Sequence, residues 1–554
     1  MTLRHRPHRI LYVPADDRPC SVEWPRLLCR LVDWDLAEPP MELLGWFAQA
    51  GHPEDIATWA LEAARDPLDG VVLSLDMLAY GGLHASRTSG IRTALAQRRL
   101  DILARLREAL GDIPIYGFAS IMGLTAITRS DESARYVDLL REYSIRLDAS
   151  ALREQEAAEN PSEDEDTGIP WAVLGEYLAI RRRNRELNQR CLAEVAAGSL
   201  SYLVLAQDSS AAEGIHRYEQ AELARKAEEL GLSDRVALAS GGAEMGMLLI
   251  TRLIHQHMEK VPLVRLVYSY PTGADLIPED EDRPIKQLVA DVVEILGGQI
   301  TIGNEGDLTT IVNCSPPEDT ASDSDSVAQR ARVMSELLAR GEERAAGRGL
   351  AVIDLTVRQG VDEALMQALF TRDGDLPHLL AFSAWDRASA SLGTGLAHAA
   401  LRLISLQDKG AFDLAQLVAD MSPMRYLALL DALIGSEKAH VTLIFSRLVE
   451  DWLYQSRVRP MVENHLVWLI RRSVVDMRQI HEHAEQMVRD LLTASAADLW
   501  IERFLGRTSV NIGTEPHRSA LVLAELEETR LRLPWRRLAE VAVGVDFGVE
   551  LAAG

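Results

Sequence analysis

Asp16, Asp17, Asp76, Asp208, Glu213, Glu244, Asp354 and Asp386 each stand at, or a few residues past, the end of a short apolar run. If those runs are parallel strands, their carboxyl ends share one face, and acids far apart in the chain meet there. Carboxylates forced together repel, so one keeps its charge while another holds its proton, which is the requirement of an acid/base pair. Glycoside hydrolysis uses such a pair, with aromatic rings against the sugar and further Asp, Arg and Asn on its hydroxyls. Tyr80, Arg87, Arg183, Asn184 and Trp385 supply that second set, together with Asp16, Asp17, Arg18 and Asp386. The chemistry to expect is therefore that of a carbohydrate-active hydrolase.

Within that expectation Glu244 is the candidate general acid, and Asp208 or Asp76 the charged partner. Each residue also has a plainer reading. Glu244 fits a first-turn acid facing the positive end of a helix dipole. Asp16 and Asp17 fit a DDRP turn. Arg183 fits a solvated helix face, Asp76 a helix cap, and Trp385 a core position. His481 and His483 are two apart, so they would not share one helix face.

The elements that must position these residues alternate along the chain. The central stretch is Val71 to Arg87, VVLSLDMLAYGGLHASR. It opens with an apolar run that has no helical period, which predicts a buried parallel strand. Asp76, Tyr80, two glycines, Ser86 and Arg87 then read as a ligand-facing loop. Similar runs recur at Arg9–Val13, Ile113–Ala119, Ser201–Ala206, Val236–Ala239, Leu263–Tyr268, Thr309–Val312, Leu350–Ile353 and Leu379–Phe382, with helical patterns between several of them. Strands alternating with helices imply right-handed βαβ units. A (β/α)8-like barrel, regular or irregular, suits their number, with a doubly wound sheet as the main competitor. This α/β part is expected to cover residues 1–408, interrupted by an acidic insertion at 151–168 and a polar break at 315–326. From 409 to 554 apolar residues recur at helical spacing, including Ala520–Leu533, which predicts a helical domain or cap.

Composition narrows the function classes. Of 554 residues, 47% are hydrophobic and 25% charged, as in a soluble globular protein. The net charge of −25 repels nucleic acid, and the dense basic cluster Arg181–Arg185 lies in a helical segment with acids beside it. Cys20, Cys29, Cys191 and Cys314 are scattered without CxxC or zinc spacing, which points to reduced thiols and a cytoplasmic setting. No signal peptide or membrane span is expected. Phosphate-loop, HExxH and G-x-S-x-G motifs are missing, so neither a cofactor nor a bound metal is called for. The expected partner is a small molecule or oligosaccharide, and self-association stays open.

Several segments carry a resemblance: YVPADDRPC (Tyr12–Cys20), SLDMLAYGGLHASR (Ser74–Arg87), RRRN (Arg181–Asn184), AQDSSAAEG (Ala206–Gly214), GGAEMG (Gly241–Gly246), AWDRASASLGT (Ala384–Thr394) and LPWRRLAE (Leu533–Glu540). Together they resemble the bacterial family known as domain of unknown function 4127, along nearly the whole chain. The resemblance implies an architecture and no reaction. Where the family tends to show a doubled Asp, this chain has Asp208 then Ser209. Where it tends to show Asp-Glu, this chain has Ala243 then Glu244, and Asn positions become Asp386 and Ala390. If relatives use Asp-Glu as substrate-assisted hexosaminidases do, Asp208 must replace the Asp lost at Ala243. Two alternatives follow: a Mg/Mn-dependent hydrolase, since clustered Asp suits a hard cation, and a sugar-binding paralogue that has lost catalysis.

Overall fold

The computed structural model describes residues 8–553 except 48, 89, 125–135, 148–167, 303–305, 315–323, 346–348, 357–359, 372–375, 386, 411–421, 473–476 and 514–517. Asp386, nearly all of the acidic insertion and most of the polar break lie outside the described residues. Six parallel strands form the first sheet: β1 (His8–Val13), β2 (Trp34–Ala37), β3 (Gly70–Ser74), β4 (Ile115–Ile121), β5 (Tyr202–Gln207) and β6 (Val236–Ser240), in the order β2-β1-β3-β4-β5-β6. A second parallel sheet follows, from β7 (Leu263–Tyr268), β8 (Gln299–Thr301), β9 (Leu308–Asn313), β10 (Leu350–Asp354) and β11 (Ala381–Ser383), in the order β11-β10-β9-β7-β8.

The fold is α/β with parallel strands, as the alternation requires. It is not described by one closed eight-stranded barrel. The strands divide between two open sheets, and counted from its own first strand each begins 2-1-3-4-5, the doubly wound order with its crevice at the carboxyl ends beside the first strand. The short strands β2 and β8 complete this order. At four and three residues they are too short to announce themselves, and each is a sheet edge paired on one side only.

Both faces of each sheet are covered, which is why the strands read as unbroken apolar runs. In β1, Ile10 and Tyr12 face one core and Leu11 and Val13 another. The core on the Ile10 side runs on through helices Met245–His257, Ile285–Ile295 and Ala388–Gly410 to Val264, Leu308 and Ile353 of the second sheet. One helical layer therefore serves both sheets and locks their relative position.

The chain beyond 409 is not purely helical. Helices Pro423–Arg447, Arg459–Arg472 and Met477–Arg503 are joined by β12 (Thr508–Ile512), β13 (Ser519–Arg532) and β14 (Ala542–Ala553), an antiparallel sheet. The helix expected at 520–533 is β13. Its Leu, Ala and Glu residues favour helix locally, but eleven register pairs with β14 and the burial of Leu521, Leu523 and Leu531 override that preference. No helix among the described residues is long and apolar enough to cross a membrane, and all four cysteines are free and buried.

Candidate active site

The carboxyl end of β1 turns at once into the DDRP corner. Asp16 accepts hydrogen bonds from the Arg18 backbone N–H (3.1 Å), Arg18 Nε (3.0 Å) and Nη2 (2.8 Å), and Ser21 Oγ (2.6 Å). Burial pushes its pKa up, yet the Arg18 charge and these bonds prevail and hold it below the usual value. Asp17 accepts the Trp535 indole N–H at 2.6 Å, and burial raises its pKa. The turn expected of this sequence is real, and it also fixes a charged pair at the strand end.

After β3, Ser74 Oγ accepts the Met77 N–H at 3.2 Å and caps a short helix, Leu75–Tyr80, where a loop was expected. Gly81 ends it in the left-handed region, φ 85°, a conformation glycine adopts without a Cβ penalty. Asp76 sits wholly inside and accepts the Ser120 N–H from the end of β4 at 2.8 Å. Burial lifts its pKa to about 6 against the pull of Ser120, Arg87 and Arg183. Tyr80 is fully buried with the Arg183 guanidinium 4.5 Å over its ring, so it is no exposed sugar platform.

Arg183 and Asn184 act on the loop that follows. Arg183 donates to the carbonyls of Ser86, Thr88 (2.8 Å) and Ile91 (2.9 Å), and Asn184 Nδ2 donates to Ser86 O at 3.0 Å. Neither is a solvated helix residue: the Arg183 Nη1 and Nη2 and the Asn184 amide serve these carbonyls, while Arg183 Nε is buried without a hydrogen bond. Their effect is to hold Arg87 in place.

Arg87 reaches across β4 and forms an ion pair with Asp208 at the end of β5. The other oxygen of Asp208 lies 3.2 Å from Arg387 Nη1, which comes from the second sheet just past β11. Asp208 is thus held between two guanidiniums. Burial, with Arg387 beside it, pulls the Arg87 guanidinium down to about 10. Past β6, Glu244 Oε1 accepts the Gly242 N–H at 2.9 Å. A methyl placed on Gly242 would lie 3.3 Å from Arg387 Nη2 and 3.7 Å from Glu244 Oε2, so carboxylate and guanidinium flank the same point.

Glu281 completes the group from the loop after β7. Its Oε1 accepts the Ser389 N–H at 2.9 Å, and its Oε2 is buried without a hydrogen bond of ordinary geometry. Burial raises its pKa, opposed by Arg387 and Ser389 and reinforced by the negative charge of Glu244. Arg87 Nε is likewise buried without a partner. Unused hydrogen-bonding capacity of this kind marks where a ligand or water can be received.

A roof of aromatic groups covers the β1 and β3 loops. His84 packs edge-on to Trp535 at 4.7 Å and against Phe47 at 5.2 Å, while Arg18 lies 4.9 Å over the Trp535 ring. Trp535 and Arg536 both take positive φ, 56° and 53°, which is costly for non-glycine residues and places the indole on Asp17. The turn between β13 and β14 also brings Glu540 within 4.0 Å of Arg18 Nε.

The chain therefore gathers Asp16, Asp17, Arg18, Arg87, Asp208 and Glu244 at one end of the first sheet, with Asp76 just beneath. Other candidates lie elsewhere. Trp385 packs edge-on to Trp24 at 5.4 Å in the core. Asp354 belongs to the second sheet, where it accepts from Asn313, Thr356 and the Asp362 N–H, and burial raises its pKa to about 6. Glu213 is exposed, as are His481 and His483. Sequence reasoning passed over Glu281, Arg387 and Trp535. Arg387 and Trp535 lie inside the quoted AWDRASASLGT and LPWRRLAE segments, and Glu281 in the acidic run PEDEDRP, which reads as solvent-facing although Glu281 and Asp282 are buried.

Fold and site define an α/β protein of two doubly wound units with a buried acid-and-arginine cluster at the carboxyl ends of the first sheet's strands. The chain belongs to the family described as protein of unknown function (DUF4127), whose family model matches residues 10–544. No curated protein matches it. Among solved structures it is similar to a UDP-glucosyltransferase from Polygonum tinctorium, in complex with 3,4-dichloroaniline, at 10% identity and a TM-score of 0.17, over 78% of this chain and 99% of that one. A likeness at that score carries no argument.

Proposed function

We propose that this protein is a carbohydrate-active, glycosidase-like hydrolase working by carboxylate acid/base chemistry at the carboxyl ends of its first sheet, where Arg387 and Glu281 arrive from the second. The observation that supports the reading best is the company of Glu244 and Glu281. Two buried carboxylates in electrostatic contact disfavour each other's charge, and the Glu281 pKa is raised by burial and by the neighbouring Glu244, the direction a proton-holding pair requires. Asp208 is clamped by Arg87 and Arg387, and two guanidiniums favour the charged form of a carboxylate. A proton donor beside a fixed carboxylate is the arrangement that cleaves a glycosidic bond. Glu244 is assigned as the acid, sharing its proton with Glu281, and Asp208 as the charged partner. Asp76 lies one layer deeper and supports Arg87, and Asp16, Asp17 and Arg18 line the mouth as hydroxyl-binding groups. The Mg/Mn-dependent alternative is less well served, because two guanidiniums already occupy Asp208 and would repel a cation.

The test is a panel of phenyl and alkyl glycosides that includes N-acetylhexosaminides, whose poor leaving groups need a proton. The wild-type chain should hydrolyse at least one, and Glu244→Gln should lower that turnover by about 10²–10⁴ with an unchanged melting temperature. Sugars that raise the melting temperature without any turnover would move the assignment to a binding protein. Turnover that vanishes with a chelator and returns with magnesium would move it to a metal-dependent hydrolase.

A further inference from the structure

At the opposite, amino-terminal edge of the first sheet, three metal-ligating side chains from distant parts of the chain converge. His8 opens β1, Asp69 stands just before β3, and His257 is the last residue of the helix Met245–His257. One ligand atom of each lies within 4.8 Å of the other two. We propose that His8, Asp69 and His257 form a binding site for a divalent transition-metal ion of zinc's class.

The surroundings preorganise two of the three ligands. Asp69 accepts the Arg9 backbone N–H at 2.8 Å, and its own N–H donates to Arg9 O at 2.8 Å, so the carboxylate is tied to β1 from both sides. Its second oxygen is 3.0 Å from His8 Nδ1. The His8 ring is stacked on Trp34 of β2, with centroids 4.5 Å apart, and the His257 ring meets it edge-on at 4.3 Å. His8 Nε2 is buried and makes no hydrogen bond. The contact with Asp69 uses one ring nitrogen and leaves the other idle, a costly arrangement unless something receives it.

The donor set is borderline: two imidazoles and one carboxylate, which selects zinc and its neighbours over magnesium or calcium. Zinc bonds of about 2.0–2.1 Å in a tetrahedron put donors about 3.3 Å apart. His257 stands at the exposed end of its helix, the ligand of the three with most room to adjust. Water takes the fourth position. The negative charge of Asp33, which is in electrostatic contact with His8, adds to the attraction for a cation. A metal here would pin the start of β1, the turn before β3 and the end of the helix that both sheets share. It is remote from the acid cleft, so the inference stands or falls apart from the proposed activity.

The experiment uses the full chain without an affinity tag, stripped with chelator and titrated with zinc. One equivalent should remain bound through gel filtration and should raise the melting temperature, and magnesium should do neither. Cobalt(II) should give the intense visible absorption of a tetrahedral site. His257→Ala, at an exposed helix end, should weaken zinc binding by at least about 10-fold while the apo protein keeps its melting temperature. His483→Ala, which removes one of the exposed His465–His483 pair 3.2 Å apart, should leave uptake unchanged. Absence of stoichiometric uptake by the wild-type chain would overturn the proposal, as would uptake that His257→Ala leaves intact or that His483→Ala removes.

Discussion

Asp76→Asn should make the protein more stable at pH 7 and leave it unchanged at pH 4. The wild-type carboxyl is wholly buried and its pKa is raised from 3.8 to about 6. The folded state therefore binds this proton more tightly than the unfolded chain does. The stability it contributes is complete below pH 3.8 and is lost as pH rises through about 6. Over that interval the loss amounts to about 3 kcal/mol. Asn keeps an oxygen to accept the Ser120 N–H and carries no charge to bury, so the variant escapes the loss. Other groups titrate in the same window with the opposite sign. His216 and His255 are pulled down to about 4 by burial, so their contribution is present above pH 6.5 and fades as pH falls. The raw pH profile mixes these slopes, and the difference between variant and wild type isolates Asp76. Denaturant unfolding of both proteins at pH 4, 5, 6 and 7 measures it. A difference near zero at pH 4 that grows to about 3 kcal/mol by pH 7 is expected. A difference that does not change with pH would refute the reasoning, and so would a variant less stable than wild type at pH 7.

Three further outcomes follow from buried charge and packing. Glu437 takes both nitrogens of Arg402 (2.7 and 2.8 Å) and Lys409 at 2.9 Å, all out of water. Glu437→Gln strands two cations and should cost about 3–5 kcal/mol in denaturant unfolding; a cost below 1 kcal/mol would contradict that. Asp208→Asn leaves Arg87 and Arg387 facing each other and should lower both stability and turnover. Adding Arg387→Met should then restore part of the stability but none of the turnover, which a double-mutant comparison reads directly. Trp535→Ala removes the indole on Asp17 and the ring between His84 and Phe47, and should cost about 3–5 kcal/mol by the same unfolding measurement. An unaltered unfolding midpoint would show that the roof does not hold the β1 corner.

The alternation of strand and helix was legible because strands buried on both faces leave unbroken apolar runs. Gly70–Ser74 and Tyr202–Gln207 are of this kind. Closure was not legible. Whether parallel strands form one barrel or two sheets depends on which strands lie side by side, and β2 and β8 are too short to show the second-strand position that defines each doubly wound unit. The β13 ladder was hidden for another reason: SALVLAELEETRLR is built from good helix formers, and only its partner β14 makes it a strand. In the cleft, the strand-end rule located Asp16, Asp76, Asp208 and Glu244, since a residue just past a buried strand needs no long-range information. Glu281, Arg387 and Trp535 reach the same place from the second sheet and the C-terminal turn, and that convergence exists only in three dimensions. Arg183, Asn184, Tyr80 and Trp385 have the right chemistry for sugars and spend it on backbone and core.

In the proposed reaction the Glu244–Glu281 pair delivers a proton to a departing oxygen. Comparing glycosides whose leaving groups differ in acidity tests this most directly, because a dinitrophenolate departs without protonation and an alkoxide does not. Glu244→Gln should lose about 10²–10⁴ in kcat/KM on the poor leaving group and little on the dinitrophenyl glycoside. Equal losses on both substrates, or none on either, would contradict it.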